Sequence, residues 1–130
     1  MDALDRIIEI EPSSEALILK GKLLHRKEDY KAAIPVLDQA MLIQPKNEQP
    51  KSNCFFYQAM CYEKLKDYKT AMMSYKKCLT LDQNHLGASI HLANLLANLG
   101  EGQRAAKYFK HAIKIDPESI NAYFGLAKAI

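Results

Sequence analysis

Residues 86–117 read LGASIHLANLLANLGEGQRAAKYFKHAIKIDP. Two apolar-periodic segments meet at Gly100 and Gly102, and the second closes at Asp116-Pro117. In the first, Ile90, Ala93, Leu96 and Ala97 recur at helical spacing, and Leu92, Leu95 and Leu99 widen that face. In the second, Ala105, Phe109, Ala112, Ile113 and Ile115 keep the same rhythm. Apolar residues at steps of three and four on both sides of a glycine turn predict two amphipathic helices folded against each other.

The unit recurs along the chain. A short turn precedes the second helix at Asp29-Tyr30, Asp67-Tyr68 and Glu101-Gly102. A small residue follows at Ala33, Ala71 and Ala105. The helix then ends at Ile43-Gln44-Pro45, Leu81-Asp82-Gln83 and Ile115-Asp116-Pro117, with a further such end at Ile10-Glu11-Pro12. The step from Ala71 to Ala105 is 34 residues and that from Ala33 to Ala71 is 38. The four extra residues are expected in a polar loop at Glu48-Gln49-Pro50-Lys51.

Small and large residues also fall in register. Gly21, Ala59, Ala93 and Ala127 are small, and Leu24, Tyr62, Leu96 and Ile130 are bulky three positions later. In the second helices Ala33, Ala71 and Ala105 are followed by Leu37, Tyr75 and Phe109, then by Ala40, Cys78 and Ala112. On these residues the chain resembles the tetratricopeptide repeat (TPR) family over nearly its whole length. The resemblance implies an all-α fold, a right-handed α-solenoid of antiparallel helix pairs. Small residues let the paired helices cross closely and bulky ones fill the gap between pairs. Departures from the pattern are Gln83 in place of a proline, Lys20 and Gln58 in place of leucine, and Leu17 and Ser89 in place of an aromatic residue. Pro35 sits inside a second helix, where a mild bend is expected.

The expected organisation is one TPR segment. Residues 1–12 are the end of a partial repeat, 14–47, 52–85 and 86–119 are repeats, and 120–130 are the first helix of a truncated one. First helices are expected at 14–26, 52–64, 86–98 and 120–130, and second helices at 2–10, 30–43, 68–81 and 102–115. An array that begins and ends in mid-repeat, without a polar capping helix, points to a fragment of a larger protein or multi-subunit complex.

Bulk composition excludes several classes. Apolar residues make up 48% of the 130, enough for a buried core, while the net charge of +3 is mild for a nucleic-acid binder. The basic run Arg104, Lys107, Lys110, His111 and Lys114 reads as a solvated outer face, so nucleic acid is not an expected partner. Three cysteines, Cys54, Cys61 and Cys78, are an odd count without close spacing. They read as free buried thiols and favour an intracellular, cytoplasmic protein. No apolar run reaches the length of a membrane span, so no membrane insertion is expected. No metal-ligand spacing, nucleophile constellation or phosphate loop is present, and no metal, cofactor or catalytic residue is expected.

The function implied by the resemblance is a non-catalytic protein–protein interaction scaffold that binds a partner protein or peptide in the groove lined by the first helices. The candidate groove residues are Ile18, Lys22 and His25; Phe56, Met60 and Glu63; Ile90, Asn94 and Ala97; and Phe124 and Lys128. Ile18, Phe56, Ile90 and Phe124 form an apolar row suited to an apolar stripe on a partner. Lys22, Arg26, Lys64 and Lys128 lie near it and would attract acidic residues. Family members that clamp the C-terminal carboxylate of heat-shock chaperones use lysine, asparagine and arginine. The matching positions here are Ile18, Lys22, Tyr57, Gly87 and His91, so that ligand is not expected. The alternative is self-association, a homo-oligomer formed through exposed terminal helices.

Overall fold

The computed structural model describes residues 3–6, 14–43 and 48–129. Among the described residues, every stretch with apolar residues at steps of three and four is helical. The helices are α1 (Ser14–Arg26), α2 (Tyr30–Ile43), α3 (Glu48–Lys64), α4 (Tyr68–Leu81), α5 (Leu86–Asn98), α6 (Gly102–Ile115) and α7 (Ile120–Ala129). Residues 3–6 are also helical, and no strand occurs among the described residues. The expected helix at 2–10 otherwise lies outside the described residues, as do Pro12, Pro45 and Ile130. α1 pairs with α2, α3 with α4 and α5 with α6, while α7 packs on α6. The stack is a right-handed α-solenoid.

One boundary differs from the sequence expectation. Glu48-Gln49-Pro50-Lys51 is not a loop but the first turn of α3. A proline in that turn removes an N–H that has no partner within the helix, so it is tolerated there. α2 likewise runs through Pro35 without interruption.

The three turns within pairs share one geometry. Glu28, Lys66 and Gly100 occupy the same register with φ of 65°, 66° and 86°. Asp29, Asp67 and Glu101 then donate their backbone N–H to the carbonyls of Leu24, Tyr62 and Leu96, at 2.8, 2.9 and 2.9 Å. Each turn thus closes its helix with a left-handed residue that satisfies an otherwise orphaned carbonyl. Gly100 adopts this conformation freely, whereas Glu28 and Lys66 hold it against the steric cost of a Cβ.

Between the paired helices lies the register of small and large residues. Ala33, Ala71 and Ala105 are fully buried, and so are Leu37, Tyr75 and Phe109. Ala40, Cys78 and Ala112 close the same face. Gly21 backs directly onto Leu37, where even a methyl group would collide with its Cδ2. Of the first-helix small residues, Ala59 and Ala93 are fully buried, but Ala127 is exposed because no described helix packs on that side of α7. The two non-leucine positions have polar solutions. Gln58 is buried between pairs and donates to Ile34 O at 3.0 Å and Asp38 Oδ1 at 2.7 Å. Lys20 pairs with Asp5 at 2.8 Å.

All three cysteines are free and buried. Burial pushes the thiols up, to about 12 for Cys54 and Cys78 and about 11 for Cys61, with Asp38 and Asp82 adding to the first two. They therefore stay protonated and act as small apolar packing groups.

The left-handed turn residues give a direct test. Lys66→Gly removes a strained Cβ from an exposed turn and offsets that gain partly with unfolded-state entropy. Chemical denaturation is expected to show a net stabilisation of about 0.5–1 kcal/mol. The same change at exposed Lys110, in the interior of α6, is expected to cost about 1 kcal/mol.

Candidate functional site

First helices form the inner layer of the stack. Among the described residues α1 touches α3 and α5 touches α7 directly, α3 and α5 meet through side chains, and no two second helices pack along their lengths. Closer spacing on one side bends a stack towards that side.

α3 and α5 are joined across the inner face by rings. Phe56 lies 4.8 Å from His85 and 5.3 Å from His91 between centroids, and it also meets Tyr57 and Tyr75. His91 stacks on Tyr75 at 6.1 Å with an interplanar angle of 19°. The fully buried Tyr75 donates its hydroxyl to Glu63 Oε1 at 2.9 Å. Burial and the Glu63 carboxylate together raise the phenol's pKa.

His85 precedes α5 and caps it. The Ala88 N–H donates to His85 Nδ1 at 3.0 Å. A backbone amide only donates, so Nδ1 carries no proton and Nε2–H donates to Asn53 Oδ1 at 3.1 Å. One neutral tautomer thus closes a helix end and ties two repeats together. Burial lowers the pKa of His85, with Asp82 opposing. Burial also lowers His91, opposed by Glu63 and reinforced by His85, His25 and Lys64. His25 is lowered by burial and by Lys64.

The sequence-derived groove residues divide by exposure. Ile18 is half-buried against the cluster of Leu17, Leu37, Ala40 and Cys54. Phe56, Met60 and Ala97 are half-buried against the larger core around Tyr75 and Phe109. Ile90, Glu63 and His25 are half-buried, and Lys22, Asn94 and Lys128 are exposed. Phe124 is 64% exposed. The apolar row is therefore shared between core and surface at Ile18, Phe56 and Ile90, and lies open at Phe124.

At one end of this face a cleft of about 430 Å³ is lined by Lys22, His25, Arg26, Glu28, Tyr30 and Tyr57. Lys22 Nζ stands 5.1 Å above the Tyr57 ring, and His25 meets Tyr30 edge-on at 5.4 Å. Three basic side chains face one carboxylate there. The sequence reading did not include Tyr57, Tyr75, His85 or His91 among groove candidates. The one local signal was the position of His85 just before a helix, the slot of a capping residue. Among the described residues no group of three or more histidine, cysteine or carboxylate side chains has the geometry to hold a metal. No described helix is long and apolar enough to cross a membrane.

The three histidines make stability depend on pH. Each has a folded-state pKa below the unfolded value of 6.5, so the unfolded chain takes up protons first as pH falls. Stability is expected to be full above pH 6.5 and to decline below it, towards the lowered folded-state values. His85→Asn keeps a capping acceptor without titrating, and is expected to flatten that decline in thermal unfolding curves. His85→Ala is expected to cost about 1 kcal/mol at neutral pH.

Two sequence-family models described as tetratricopeptide repeat match the chain, one over residues 62–127 and one over residues 14–47. A DnaJ protein P58IPK homolog from Arabidopsis thaliana is 30% identical over 131 residues, covering 88% of this chain and 26% of that protein. Among solved structures, the APC/C hetero-tetramer Cut9-Hcn1 matches with a TM-score of 0.89 at 22% identity, over 99% of this chain and 26% of that one. The first TPR of Spaghetti (RPAP3), bound to the HSP90 peptide SRMEEVD, matches with a TM-score of 0.80 at 20% identity, over 90% of each chain. The structural likenesses are likenesses of fold. The chain spans between 7% and 26% of the curated relatives it matches. The repeat register, the paired helices and the matched family models agree, and the chain belongs to the tetratricopeptide repeat family, generally a non-catalytic protein-interaction fold.

Proposed function

We propose that this chain is a non-catalytic interaction scaffold that holds an extended partner segment along its first helices, within a larger protein or multi-subunit complex in the cytoplasm. The observation that carries this reading is the adjacency of an apolar row to a basic, aromatic-lined cleft. Ile18, Phe56 and Ile90 offer apolar surface, while Lys22 and Arg26 stand exposed beside the Tyr57 and Tyr30 rings. Such a surface suits a segment with an apolar stripe and acidic residues at one end. The relative bound to an HSP90 peptide has a similar fold. The clamp positions of this chain hold Ile18, Tyr57, Gly87 and His91 beside Lys22, so a chaperone tail is not the proposed ligand. Three free buried thiols accord with a reducing compartment.

Peptides selected from a random display library on the immobilised chain test the reading. They are expected to carry an apolar stripe with acidic residues. The double reversal Lys22→Glu and Arg26→Glu is expected to weaken them about tenfold, ~1.4 kcal/mol, with helicity by circular dichroism unchanged. Equal binding to the wild-type and reversed chains would remove the groove from the account.

A second reading is self-association. Ile120, Tyr123 and Phe124 are 69%, 51% and 64% exposed on α7, an apolar face suited to another copy. Sedimentation equilibrium separates the two. A mass that rises with concentration, and falls back to the monomer with Phe124→Ser and Ile120→Ser, is the outcome expected of self-association. A monomer at all concentrations excludes it.

A further inference from the structure

The outer face carries a second surface that the groove does not account for. Between α4 and α6, the second helices of adjacent pairs, a cleft of about 350 Å³ opens over Leu79, Gln83, Lys107, Tyr108 and His111. It continues into a hollow of about 450 Å³ that adds Lys76 and Thr80. Leu79 and Tyr108 are half-buried against the main core and form an apolar floor. Lys76 and Lys107 are exposed, and Gln83 and Thr80 complete the rim. One end is strapped by His111, whose Nε2–H donates to Gln83 O at 2.7 Å.

The electrostatics of this cleft are one-sided. Neither hollow is lined by a carboxylate. Among the described residues the ion pairs are Lys20–Asp5 and Arg104–Glu101, which leaves Lys76 and Lys107 without an acidic partner. The residues in repeat register differ between the second and third pairs. In α3 and α4 the Phe55 ring lies 5.5 Å from Lys77 Nζ. In α5 and α6, 34 residues on, the same two positions hold Ser89 and His111. Ser89 is fully buried and its Oγ has no hydrogen-bond partner. A ring in the second pair thus corresponds to a hydroxymethyl group in the third.

We propose that this cleft is a separate docking site for an acidic, extended segment of a partner protein, with one aromatic or large aliphatic side chain seated on Leu79 and Tyr108. Apolar floor and unpaired ammonium rim supply the two components that such a segment needs: an anchor that leaves water and carboxylates that neutralise the rim. A nucleic-acid strand fits less well. Successive bases need a series of exposed ring faces to stack on, and the cleft has the single ring of Tyr108, half-buried in its floor.

The test uses fluorescein-labelled heptapeptides with three acidic residues on each side of a central phenylalanine, leucine or alanine, read by fluorescence anisotropy. Saturable binding is expected for phenylalanine and leucine, about tenfold weaker for alanine. Lys76→Glu with Lys107→Glu is expected to weaken the phenylalanine peptide about tenfold or more. Binding read at this cleft, from the amide resonances of Leu79, Tyr108 and His111, is expected to be unchanged by Lys22→Glu with Arg26→Glu, which separates this site from the inner groove. Amide resonances of Leu79, Tyr108 and His111 are expected to shift on titration. Absence of saturable binding would overturn the proposal. So would equal affinity for the alanine peptide, indifference to the Lys76 and Lys107 reversal, or displacement by a single-stranded RNA heptamer at lower concentration than the peptide.

Discussion

Each helix pair depends on one contact, a large side chain in the second helix locked against small residues. Leu37, Tyr75 and Phe109 are each fully buried, and a single aromatic ring in that position withdraws some 150–250 Å² from water. The close approach works because alanine and glycine stand opposite. Gly21 against Leu37 within the first pair, and Gly125 of α7 against Phe109 of the pair before it, leave no room for a methyl group. Close packing of this kind makes neighbouring helices a rigid unit, and the stack of such units is what presents two faces, one inner and one outer.

The inner face is a compromise between holding the stack together and contacting a partner. Phe56 shows this most clearly. Its ring joins α3 to α5 through His85 and His91 while remaining half-exposed. His85 adds a cap and a cross-repeat hydrogen bond through one neutral tautomer. The same side chains that hold consecutive repeats together thus form the floor of the candidate groove, and the charge state of the histidines enters both. On the outer side the second helices stand apart, so the space between them is filled by side chains or left open. In the third repeat, Ser89 stands where the second has Phe55.

Much of the fold was legible because a repeat reports each position several times. The alanine, large-residue and small-residue positions of the second helices recur three times, and all nine side chains are buried. Helix ends were legible at the turns, where Asp29, Asp67 and Glu101 follow a left-handed residue. The start of α3 was misread because Pro50 reads as a breaker, although a first helical turn accommodates proline without loss. Exposure along the row Ile18, Phe56, Ile90 and Phe124 was not legible. Identical register places these residues on one side of their helices, yet how much of each is covered depends on the neighbouring pair.

The sequence by itself determined the helix pairing, the close-packing register and the family, since all three follow from local periodicity and residue size repeated at a near-constant step. Tertiary structure alone decided the bonds between residues distant in the chain. Asn53 meets His85, Gln58 reaches Asp38, and His111 straps Gln83, across 32, 20 and 28 residues. Periodicity names the face a side chain occupies. Which polar atom it meets there depends on the tilt and spacing of the next helix pair, and that geometry exists only once the whole stack is assembled.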